Sequence, residues 1–178
     1  PAVAGARRLV HSAGRSGARV TVWMPSPGAL TGRFMVRLLD SLGLRAHLKL
    51  VSIAPGIGNY FQRVFDPRTR AQIGFDNWIA DYPSAAGFLP PLFSCAQSNA
   101  SEFCDRGVDS LFAAAEAAQA QNPAAAPALW QKAERAVLAA APAVPTDNGK
   151  NVAFVAKHVG NFQFHPEWGV LLDQLWVK

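Results

Sequence analysis

The sequence predicts an α/β chain with a mostly parallel sheet flanked by helices. Three observations predict it. β-Branched runs alternate with helical patterns over residues 1–78, in the order strand, helix, strand, helix, strand. That order suits parallel strands joined by crossover helices. Two alanine-rich helical patterns follow, and half of the 178 residues are hydrophobic, enough for packed layers.

Ala2 to Ala13 holds helix formers with Leu9 and Val10 on one side, and Gly14 supplies the stop. Ala18 to Trp23 reads as a strand ended by Pro25 and Pro27. Thr31 is expected to cap a second helix, where Phe34, Met35, Leu38, Leu39 and Leu42 recur at helical spacing before Gly43. From Arg45 to Val51, Ala46, Leu48 and Leu50 alternate with His47 and Lys49, as in a half-buried strand. Asn59 to Phe65 is a short helix stopped by Asp66-Pro67. Ala71 to Trp78 returns as a strand. Ligands of such sheets gather beyond the carboxyl ends of the strands, here Trp23-Met24, Val51-Ser52 and Trp78 to Asp81.

Residues 113–143 hold 16 of the 32 alanines, so the helices Val108 to Gln121 and Pro123 to Ala141 read as closely packed scaffold. Asn122 is the expected N-cap and Pro123 the first helical residue. Strand candidates at Asn151 to Ala156 and Val170 to Val177 close the chain.

Charge is uneven, with a net of +9 over residues 1–70 and −4 over residues 71–178. The basic residues stand mostly singly, as on solvated faces, so no nucleic acid partner is expected of this segment. Tyr82 to Ser101, the longest uncharged stretch, is broken by Pro83, Pro90 and Pro91, which argues against a membrane span. Pro1 is not an initiator Met and no signal-peptide apolar region follows, so the expectation is a chain cut from a longer one or processed.

Cys95 and Cys104 share one polar loop. Two cysteines do not build a zinc site, and His11, His47, His158 and His165 are dispersed, so no metal is expected. A local disulfide is favoured over two free thiols and implies an oxidising compartment. Asn99-Ala100-Ser101 matches a glycosylation acceptor, a pattern too short to carry weight.

Gly56-Ile57-Gly58 lacks the third glycine of a dinucleotide fingerprint and the lysine of a P-loop, so no cofactor is expected. No HExxH, GxSxG or paired Cys–His arrangement occurs. His165-Pro166-Glu167 reads as a turn. Asp76 and Asp81 come without a base, an oxyanion donor or a cofactor motif, and a hydrolase built on them needs both in one pocket. No catalytic residue is expected. What remains is Asp76-Asn77-Trp78-Ile79-Ala80-Asp81-Tyr82-Pro83. An indole offers a flat apolar face, and a carboxylate anchors an ammonium group. The same residues also suit a core Trp78 and an Asp81 that caps the next turn, and physics alone leaves both readings open.

These residues carry a resemblance. Trp78-Ile79-Ala80-Asp81-Tyr82-Pro83, followed by Phe88-Leu89 and Pro91-Leu92-Phe93, resembles the W-x-A-D-Y-P…F-L…L-F signature of one class of extracellular solute-binding proteins. That class is the peptide/nickel (oligopeptide-binding) family serving ABC importers. Ala6 to Gly14 with Arg19 to Pro25 resembles the opening of the family's second lobe. Asn99 to Asp109, Leu129 to Val144 and Gly169 to Val177 resemble later segments in the family's order.

The resemblance implies one lobe of a type II periplasmic-binding-protein fold, the carboxy-terminal one, over residues 1–150. Residues 151–178 would return toward a missing amino-terminal lobe of the same protein. It implies a non-catalytic protein that binds an oligopeptide or a similar small solute and works with an ABC transporter permease. The implied place is extracellular, cell-surface anchored or periplasmic. In peptide-binding relatives the aspartate matching Asp81 pairs with the ligand's α-amino group, and the tryptophan matching Trp78 lines the same pocket. Asn77 and Tyr82 join them as neighbours. Relatives continue with Asp-Pro where this chain has Ser84-Ala85-Ala86-Gly87, which leaves the ligand class open. A second reading is a ligand-sensing module fused to a transcriptional regulator, which would be cytoplasmic.

Overall fold

The computed structural model describes residues 2–56, 58–79, 81–97, 99–146, 152–165 and 168–178. The chain divides into two compact units, Pro1–Asn77 and Trp78–Lys178.

The first unit holds α1 (Ala2–Ser12), β1 (Arg19–Pro25), α2 (Ala29–Ser41), β2 (Arg45–Val51), α3 (Tyr60–Val64) and β3 (Ile73–Gly74). The strands form a parallel sheet in the order β2-β1-β3. β1 and β2 pair from Arg19 opposite Arg45 to Pro25 opposite Val51. Val22, Trp23 and Met24 are buried there with Tyr60 and Val64. Helix α2 approaches the sheet through buried Gly32. A Cβ at that position would lie 2.8 Å from Met24 Cγ and press on Leu48, so the close approach needs glycine. Trp23 and Lys49 are register partners, and the Lys49 ammonium lies 3.9 Å from the indole centroid. The cation covers a buried aromatic ring.

Two expectations change here. Helix α2 begins at Ala29 and not behind a Thr31 cap, because a 3₁₀ turn at Ser26–Gly28 carries the chain from strand into helix. The third strand is Ile73–Gly74 instead of the whole Ala71–Trp78 run. Side chains replace the ladder on either side of it. Gln72 Oε1 accepts the Thr21 N–H at 2.8 Å before the strand, and the Tyr60 hydroxyl accepts the Phe75 N–H at 2.5 Å after it. Backbone groups satisfied by side chains have no call for a strand partner.

The second unit holds α4 (Leu89–Phe93), α5 (Arg106–Gln121) and α6 (Ala126–Ala140). Two short antiparallel ribbons complete it. They pair β4 (Val159–Gly160) with β7 (Trp176–Val177), and β5 (Phe164–His165) with β6 (Gly169–Val170). The core is one stripe from each long helix: Val108, Phe112 and Ala115 against Ala126, Trp130, Ala133 and Val137. The spacing is helical, and alanine lets the two axes come close. Asp105 caps α5, accepting the Gly107 and Val108 N–H groups. The break at Asn122-Pro123 stands, but α6 starts at Ala126 with Pro127 in its first turn. The Ala125 N–H bonds to the Asn122 carbonyl at 3.0 Å, so Pro123 opens a turn, not the helix.

Residues 152–156 carry no regular structure, so the strand expected there is not formed among the described residues. A 3₁₀ turn at Leu172–Gln174 splits the expected Val170–Val177 strand in two, and its halves pair with different partners. The boundary expected at residues 150 and 151 lies outside the described residues. No helix among the described residues is long and apolar enough to cross a membrane.

Cys95 and Cys104 form a disulfide with Cα atoms 4.4 Å apart. Asn99 fills the loop it closes. Its amide donates to the Phe103 carbonyl at 3.0 Å, and its Oδ1 accepts the Phe103 N–H at 3.0 Å. The Cys95 N–H donates to Asp109 Oδ1 at 3.2 Å, which ties the loop to the first turn of α5.

Candidate functional site

In the first unit the strand order reverses at β1, so β1 and β3 flank a topological switch point, where α/β sheets bind ligands. Tyr60 bridges the two chain segments there. It is fully buried. Its hydroxyl donates to the Phe75 carbonyl at 2.7 Å, accepts the Phe75 N–H, and lies 3.2 Å from the Trp23 carbonyl oxygen. Burial pushes the phenol up to about 12, against the pull of the Phe75 backbone bond and with help from nearby Asp76. Asp76 and Asn77 follow, both exposed, with the Asn77 N–H bonded to Asp76 Oδ1 at 2.8 Å.

The other three expected site residues belong to the second unit. Trp78 is half-buried, and its indole N–H donates to the Gly87 carbonyl at 3.0 Å. Tyr82 borders the same glycine. A Cβ on Gly87 would lie 3.5 Å from the Tyr82 ring and 3.2 Å from the Tyr82 carbonyl oxygen. Trp78 and Tyr82 both border Gly87. Asp81 between them is exposed. The cap of the following turn is Ser84, whose Oγ accepts the Ala86 N–H at 3.2 Å. Asp76 and Asp81 fall in different units.

Sequence reasoning missed the residues opposite Tyr82. Ser84 Oγ donates to Gln119 Oε1 at 3.1 Å, and the Trp130 indole N–H donates to the same oxygen at 3.0 Å. Tyr82, Ala86, Glu116, Gln119 and Ala120 line an open groove of about 390 Å³. A second groove of about 310 Å³ is lined by Ala85, Phe88, Leu89, Trp130, Gln131 and Glu134. The available signal was simple: Glu116 and Gln119 are the two polar residues in the alanine run of residues 113–120. His165 Nδ1 accepts the Trp168 N–H at 3.2 Å. Pro166 and Glu167, where a turn is expected, lie outside the described residues. No group of His, Cys, Asp and Glu suited to a metal ion occurs among the described residues.

No protein-family model matches the sequence, and no curated protein matches it. Solved structures do. One is DppA, an ABC transporter-associated periplasmic binding protein from Helicobacter pylori in complex with the peptide STSA. It superposes at a TM-score of 0.64 with 22% identity, over 76% of this chain and 27% of that one. Another is the substrate-binding domain of an oligopeptide ABC transporter from Bacillus anthracis strain Ames, at a TM-score of 0.62 and 16% identity, over 75% of this chain and 25% of that one. The chain has the fold of part of a periplasmic binding protein. It spans about a quarter of the length of either structure. The parallel sheet flanked by helices is the architecture the sequence predicts, and both similar structures are binding proteins by description.

Proposed function

We propose that this chain is the ligand-binding carboxy-terminal lobe of a solute-binding protein that delivers an oligopeptide, or a similar small solute, to an ABC transporter permease. It catalyses nothing. The likeness to DppA over 76% of this chain carries the reading. Residues 1–150 form the lobe, and residues 151–178 return toward the amino-terminal lobe. Asp81 pairs with a cationic group of the ligand, and Trp78 and Tyr82 give it aromatic walls. The exposed carboxylate of Asp81 supports this, as does Gly87, which both Trp78 and Tyr82 border. The Cys95–Cys104 disulfide supports a place outside the cytoplasm, either periplasmic or on the cell surface.

Closure of two lobes buries a ligand on both sides, so one lobe supplies half the contacts. Calorimetric titration of this chain with di- to pentapeptides is expected to give weak binding that Asp81→Asn weakens further. Tight binding by the chain alone, or binding indifferent to Asp81→Asn, would overturn the assignment.

A further inference from the structure

Glu116, Gln119 and Ala120 stand at i, i+3 and i+4 on α5 and therefore share one face of the helix. With Tyr82 and Ala86 they line the groove of about 390 Å³, a volume within the range of small-ligand sites. Each polar group has a defined part. Glu116 is exposed and has no ion-pair partner among the described residues, where Arg68–Asp66 is the one salt bridge. The Gln119 oxygen already accepts from Ser84 and Trp130, which fixes the amide and leaves its NH₂ as the end free to donate. Tyr82 is 48% exposed, leaving ring surface for a guest. Ala86 and Ala120 add wall without bulk.

A carboxylate beside an aromatic ring is the pairing that holds a cation, and alanine walls suit the alkyl stem that carries one. A fixed NH₂ nearby suits a carbonyl. We propose that the ligand site begun by Trp78 and Asp81 extends through Tyr82 into this groove, and that the groove takes a cationic side chain, so that the solute is a basic peptide. The proposal rests on the ligand-binding reading above and adds the substrate class. Glu116 is the counter-ion, Tyr82 the ring under the cation, and Gln119 the donor to the adjoining carbonyl. Glu134, which lines the second groove, has no such part.

The test is an NMR titration of the isotope-labelled chain with Ala-Arg-Ala, Ala-Lys-Ala and Ala-Leu-Ala. Amide shifts are expected at residues 82–87 and 116–120, with the arginine and lysine peptides bound about two- to fivefold more tightly than the leucine peptide, as an exposed ion pair gives. Glu116→Gln, an exposed isosteric change, should bring the three peptides to roughly equal affinity. Glu134→Gln should keep the preference. Equal binding of all three peptides by the parent chain, or a preference that survives Glu116→Gln, overturns the groove assignment while ligand binding stands. Absence of shifts with every peptide overturns the ligand-binding reading itself.

Discussion

The indole N–H of Trp78 and the carbonyl of Gly87 are hydrogen-bonded at 3.0 Å. The bond ties Trp78 to the 3₁₀ turn at Ala85–Gly87, while Asp81 between them in sequence is exposed. Gly87 is buried, so its carbonyl has no water to fall back on. Trp78→Phe keeps the aromatic bulk and removes the donor. The expected cost is about 1–2 kcal/mol, read from urea unfolding midpoints at unchanged slope. Gly87→Ala should cost about 1–3 kcal/mol, because the new methyl meets the Tyr82 backbone carbonyl, which cannot swing aside as a side chain can.

Gly32 pits two effects against each other. Alanine in the middle of a helix gains up to about 1 kcal/mol over glycine. The same methyl would press on Met24 and Leu48 in the α2–sheet contact, an overpacking cost of about 1–3 kcal/mol. Packing outweighs propensity, so Gly32→Ala is expected to lower the unfolding midpoint. A raised midpoint would mean that α2 stands further from the sheet.

Reducing the Cys95–Cys104 bridge releases a short loop next to the capped start of α5. The chain-entropy account gives a loss of about 2–3 kcal/mol. Asn99 and its bonds to Phe103 remain, so the loop loosens without dissolving. Thermal unfolding with and without reductant should show this drop, and the Cys95→Ser, Cys104→Ser double variant should lose its sensitivity to reductant.

Tyr60 sets an alkaline limit. Its phenol ionises near 10 in the unfolded chain and about 12 when folded, so the fold favours the neutral form. That stability is fully present below pH 10 and is lost as the pH rises from 10 to 12, with roughly 2–3 kcal/mol at stake. Tyr60→Phe should be less stable at neutral pH, having lost the Phe75 bonds, yet decline less steeply above pH 10. Parallel decline in both proteins would assign the alkaline loss to other groups.

The sequence by itself determined the order of elements from α1 to β3, because that order rests on periodicities local to each segment. β2 falls at Arg45–Val51 as the alternation predicts, and α5 ends at Gln121 as expected. Its apolar stripe, Val108, Phe112 and Ala115, is readable from spacing alone. The polar loop between the cysteines likewise announced its bridge. The W-x-A-D-Y-P segment drew attention through its residue types, which pointed to an anchor but not to its surroundings.

Only the tertiary structure decided where β3 stops, and the reason is physical. Residues 71–78 have strand composition, but their backbone groups meet Tyr60 from another element, and Gln72 takes the place of a ladder partner. No local pattern encodes a partner 15 residues away. The same holds for the groove. Glu116 and Gln119 become neighbours of Tyr82 only when α5 packs and Ser84 reaches Gln119. Hydrophobic periodicity reports which face of a segment is buried, whereas side-chain hydrogen bonds between distant segments depend on three-dimensional proximity that periodicity does not carry.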